Sequence, residues 1–76
     1  MNNNYETTDL GLATALSAVG VVLARIDKTN PRRAVFVFEP TDVLDRTISG
    51  YWDNTLAIPA QFYFESLKRM KSRLYS

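Results

Sequence analysis

The sequence predicts a small α+β domain whose elements run helix, antiparallel β-hairpin, helix, helix. Three observations predict it. Two β-rich apolar runs, at 21–27 and 34–39, flank the turn-forming segment Lys28-Thr29-Asn30-Pro31-Arg32-Arg33. Three other stretches repeat apolar residues at helical spacing, each opening on a cap residue or a proline. The chain is 76 residues long, enough for one core, so a single domain spans 1–76 with 1–4 as a flexible tail.

Along the chain, Tyr5-Glu6-Thr7-Thr8 reads as a short extended arm or edge strand. Thr8 or Asp9 supplies a side-chain oxygen to cap a first helix over about 9–19, where Leu12, Leu16 and Val19 follow at helical spacing. Gly20 stops that helix, because glycine enters the left-handed conformation without a Cβ clash. Gly11 lowers the helix's intrinsic propensity and the neighbouring alanines are small, so it is expected to depend on close packing against a neighbour. The runs Val21-Val22-Leu23-Ala24-Arg25-Ile26 and Ala34-Val35-Phe36-Val37-Phe38 form the hairpin, and their successive apolar residues call for cover on both faces.

Pro40 ends the second strand, and Thr41 caps a second helix over about 42–53 with Asp42 and Asp45 at its positive end. Its apolar stripe is Leu44, Ile48, Tyr51 and Trp52. Ile58 precedes a proline and is held extended, and Pro59 opens a third helix over about 59–75. That helix carries the stripe Tyr63, Leu67, Met70 and Leu74, broadened by Phe64. Two strands alone make a marginal sheet. A short extra edge strand is therefore expected from 4–8 or 56–58, or else two chains pair their sheets.

Composition bounds the function. The chain has no Cys and no His, which excludes disulfides and the usual structural zinc site and fits a reducing cytoplasm. Its polar start lacks a signal-peptide pattern, and no apolar run reaches the ~18–20 residues that span a bilayer. The expected location is cytoplasmic, with no membrane, metal or cofactor. A domain of this size buries only about 60–65% of its unfolded surface, and self-association, most simply as a homodimer, is the expected remedy.

Without imidazole, thiol or a Gly-rich phosphate loop, the chain lacks the commonest catalytic groups, and no catalytic residue is assigned. The pairs Asp42 with Asp45 and Asp27 with Glu39 read better as helix-start and strand-end charges than as acid–base pairs. The net charge is only +1, so any grip on nucleic acid must come from segregated charge. Segregation is present. Lys28, Arg32 and Arg33 cluster at the hairpin tip, and Lys68, Arg69, Lys71 and Arg73 cluster in the last turns of the third helix. A basic ribbon tip can lie along phosphates or enter a groove, although charged tips are commonly just solvated and helix ends favour cations in any case. Phe36 and Phe38 share a strand face able to stack bases, but a domain this small needs both in its core. Tyr51, Trp52, Phe62 and Tyr75 exceed what one stripe per helix can bury, and Tyr51, Trp52 and Phe62 are the candidate partner-binding residues.

Taken together, Tyr5-Glu6-Thr7-Thr8-Asp9-Leu10 before an alanine-rich helix ending at Gly20, Ile26-Asp27 with Pro31-Arg32-Arg33, and Val35-Phe36-Val37-Phe38-Glu39 form a pattern. It continues through Tyr51-Trp52 to Leu67-Lys68-Arg69-Met70-Lys71-Ser72-Arg73-Leu74-Tyr75. This pattern resembles a family of short bacterial, archaeal and phage domains with no assigned activity. The resemblance transfers no site residue, but it implies an accessory role in a phage or mobile element. The expectation is a small non-catalytic binding protein that contacts nucleic acid through the two basic clusters. The alternative is a protein–protein interaction or structural module anchored by Tyr51, Trp52 and Phe62.

Overall fold

The structure, a computed structural model, describes residues 3–76. The elements run β1 (Tyr5–Thr7), α1 (Leu10–Ala18), β2 (Leu23–Asp27), β3 (Val35–Phe38), α2 (Leu44–Trp52) and α3 (Ala60–Leu74). They make an α+β domain with a three-stranded antiparallel sheet in the order β1-β3-β2. The extra strand comes from the N-terminal segment, while 56–58 has no strand structure. Because β1 occupies the second edge of β3, all three strands come from a single chain. Of the tail expected over 1–4, Met1 and Asn2 lie outside the described residues, and Asn3 and Asn4 have no regular structure.

Register explains the core. Tyr5 and Leu23 both face Phe38 across the ladders, and Thr7 and Ile26 both face Phe36, so these residues share the inner face. Phe36 and Phe38 are buried there with Leu12, Ala13 and Leu16 of α1, Val21, Leu44 of α2 and Met70 of α3. The phenylalanines therefore belong to the core and are closed to stacking. On the outer face Val37 stands between Glu6 and Arg25, yet only 1% of it is exposed. The central strand thus hides Val37 among the stems of longer neighbours, while Val35 on the same face is half-buried. An irregularity between Leu23 and Arg25 sets Ala24 aside from the ladder and interrupts the β2 edge.

Helix α1 lies at the centre, touching β1, α2 and α3, and every residue from Leu12 to Leu16 is buried. Its small residues permit that approach. Asp9 caps it, accepting the Leu12 amide at 2.9 Å. At the other end Gly20, with φ +98°, donates to the Ser17 carbonyl, and Val21 donates to that of Leu16. These two bonds form a Schellman close, and the Leu16 and Val21 side chains meet in the core cluster.

Three sequence expectations differ. Thr41 does not cap α2: its hydroxyl donates to Asp42, and the helix begins beyond Val43 without a side-chain cap. On α2 the buried residues are Leu44 and Thr47, the latter donating to the Val43 carbonyl at 2.8 Å, while Trp52 is 59% exposed. On α3 the inner stripe is Tyr63, Ser66, Leu67, Met70 and Leu74, and Phe64 is 58% exposed. The physical reason is clearance: the serine is small enough for α3 to approach the alanine-rich α1, and a phenylalanine in that place is not.

Candidate functional site

The hairpin tip is built by its own side chains. Asp27 Oδ1 accepts the Thr29 amide at 2.9 Å, Asn30 Oδ1 accepts the Arg32 amide at 2.9 Å, and Asn30's carbonyl accepts the Arg33 amide at 3.1 Å. These side-chain turns fix where Arg32 and Arg33 leave the backbone. The Thr29 hydrogen bonds hold the Asp27 carboxyl below its ordinary value.

The tip does not project freely. Lys28 Nζ donates to the backbone oxygens of Arg73 at 2.9 Å and Ser76 at 3.1 Å, so the lysine satisfies carbonyls at the end of α3. This contact joins the two basic clusters that the sequence leaves 40 residues apart, Arg33 to Arg73. A groove of about 420 Å³ lies at the junction, lined by Lys28, Pro31, Arg32, Arg33, Leu74 and Tyr75 among others. Arg32 and Arg33 in the groove wall are exposed, as are Lys71 and Arg73 on opposite flanks of the end of α3. Lys71 and Arg73 lie in the last turn of α3, where cations also complement the carbonyl end of the helix.

The other two basic residues of the α3 cluster have internal partners. Lys68 Nζ sits 5.3 Å from the centre of the Phe64 ring, a cation–π contact one helical turn apart. Arg69 Nη2 donates to Ser66 Oγ at 3.1 Å, beside Phe62 and Ala18. Helical rotation puts Arg69 with Arg73 on one flank of α3 and Lys68 with Lys71 on the other. Tyr75 is the residue that sequence reasoning did not place in the basic site. The residue is 78% exposed and lines the groove beside the tip arginines. The surplus of aromatics was visible in the sequence, but the position of this one depends on the tertiary meeting of tip and helix.

The candidate partner residues are divided. Tyr51 and Trp52 stack edge-to-face at 4.9 Å and line a second cleft of about 460 Å³ with Ala15, Asn54, Leu56, Ile58 and Tyr63. Phe62, also exposed, lines a separate hollow with Ala18 and Glu65. Beneath the cleft, Tyr63 Oη donates to the Gly11 carbonyl at 3.2 Å. Tyr51 Oη lies against Gly11, where an added Cβ would collide with it. Burial, then the Asp9 and Tyr63 charges, push the Tyr51 phenol above its ordinary value.

Asp27 and Glu39 stand at opposite ends of the hairpin. Asp27 faces Val35 at the tip end of the hairpin, whereas Glu39 donates its amide to Val22 at the other end. Asp42 accepts from Thr41, and Asp45 lies in the first turn of α2. Among the described residues no helix is long and apolar enough to cross a membrane. No curated protein and no solved structure matches the chain. The match to a family profile spans residues 2–76, and by it the chain belongs to the family described as Domain of unknown function (DUF5659).

Proposed function

We propose that this protein is a small, non-catalytic nucleic-acid-binding protein that grips phosphates with Arg32, Arg33, Lys71 and Arg73. The observation that carries this reading is the Lys28 bridge to the Arg73 and Ser76 backbone oxygens, which joins two basic segments into one end. At a net charge of +1 the molecule has no general attraction for polyanions, so a concentrated patch is the physical route to one. The reading includes a cytoplasmic accessory role in a phage or mobile element and self-association as a homodimer, which would present two such ends to one strand.

A second reading, a protein-interaction module, is favoured by the exposure of Trp52 and Phe62. One experiment separates the two. Binding to a labelled oligonucleotide at low salt is measured for the wild-type chain, the Arg32→Ala, Arg33→Ala double variant and Trp52→Ala, with circular dichroism confirming the fold of each. The proposal expects the double variant to lose at least about tenfold in affinity and Trp52→Ala to bind as wild type. Loss with Trp52→Ala alone, or equal binding by all three, refutes it.

A further inference from the structure

Resting on the nucleic-acid reading, we infer that the groove between the hairpin tip and the end of α3 takes single-stranded nucleic acid. One unpaired base stacks on the Tyr75 ring, and its flanking phosphates meet Arg32 and Arg33. The ring is the first support. At 78% exposure Tyr75 leaves its aromatic surface in water, beside two exposed arginines in the same groove. An exposed aromatic face next to guanidinium groups is the composition of a stacking platform, and stacking accepts any base because every base has a π-face.

The groove's size and floor are the second support. At about 420 Å³ and open to solvent, the groove leaves room for one base with its sugar. Pro31, Ala34 and Leu74 give the lining an apolar part, on which a base loses little by leaving water.

Topology supplies the third support by disfavouring the duplex. A two-stranded ribbon reads duplex DNA by entering the major groove, and it must protrude to do so. Here β3 is the central strand of three, and Lys28 ties the tip beside the end of α3. A duplex also hides its base faces, so it would engage the arginines and leave Tyr75 without a role. The turns built by Asp27 and Asn30 fix the backbone from which Arg32 and Arg33 project before any strand arrives, which lowers the backbone's ordering cost on binding.

The test is fluorescence anisotropy with one labelled oligonucleotide, presented single-stranded and annealed to its complement, at matched salt. Wild type, Tyr75→Ala, Tyr75→Phe and the Arg32→Ala, Arg33→Ala variant are compared. The expected result is tighter binding of the single strand, a loss of about tenfold with Tyr75→Ala, and retention with Tyr75→Phe. The salt dependence of Tyr75→Ala should match wild type, because no phosphate contact has been removed. If the duplex binds as tightly, or Tyr75→Ala changes nothing while the arginine variant still loses binding, the stacking inference falls and the phosphate reading stands. If neither form binds the wild-type protein at low salt, both fall.

Discussion

Lys28→Met removes an ammonium while keeping an unbranched apolar stem, so it tests whether this lysine fastens the tip to α3 or reaches out to phosphate. In the structure Nζ donates to two backbone oxygens, those of Arg73 and Ser76. A cation at a helix C-terminus contributes ~0.3–1 kcal/mol, and a typical hydrogen bond ~0.5–1.5 kcal/mol net. Because this contact is solvent-exposed, the low end applies, and a loss of about 0.5–1 kcal/mol is expected. For a domain of this size that lowers the melting temperature by about 2–8 °C, readable by circular dichroism. Binding supplies an independent readout. If the lysine is committed to α3, its loss weakens affinity by a similar factor at every salt concentration, because the tip is less well held. If it contacts a phosphate, the slope of log K against log salt becomes shallower by ~0.7. An unchanged melting temperature together with a shallower slope would refute the fastening role.

Two further predictions concern the Tyr51 contact. Gly11→Ala should gain ~1 kcal/mol from helix propensity, yet its new Cβ would run into Tyr51 Oη and crowd Asp9, so a net loss of about 1 kcal/mol is expected. In a Tyr51→Phe background the same change should cost at least about 1 kcal/mol less; a denaturant-melt double-mutant cycle that comes out additive would contradict the contact. The second concerns alkali. The folded protein holds the Tyr51 phenol above the ordinary value of 10.0, so its protonated form is favoured in the native state. That contribution is complete below pH 10.0 and is lost as pH rises through the raised folded-state value. Phenolate absorbance should accordingly show a late-titrating tyrosine in wild type that is missing from Tyr51→Phe, and identical titrations would count against the burial of this hydroxyl.

What was legible in the sequence was local. Asp9 and Gly20 mark the ends of α1 because a cap and a left-handed glycine act within a few residues, and Asn30 with Pro31 marks the turn for the same reason. Phe36 and Phe38 were assigned to the core on size alone, since a chain this short has few alternatives. The choice between 4–8 and 56–58 for the extra strand was not legible, because three residues of β1 acquire strand structure only from pairing with β3. Nor was the rotation of α3: periodicity accepts Phe64 or Ser66 beside the stripe, and the closeness of α1 decides for the serine. The basic clusters could be named but not brought together. Their meeting depends on where Lys28 finds carbonyl partners, a contact that spans 45 residues.

The central claim is that the joined basic end binds a phosphate backbone. The most direct measurement is the affinity of the wild-type protein for a single-stranded oligonucleotide across a salt series, with the Arg32→Ala, Arg33→Ala variant alongside. Four cations at ~0.7 each give a log–log slope of about −3 for wild type and about half that for the variant. A flat dependence, or no association even at the lowest salt, contradicts the account.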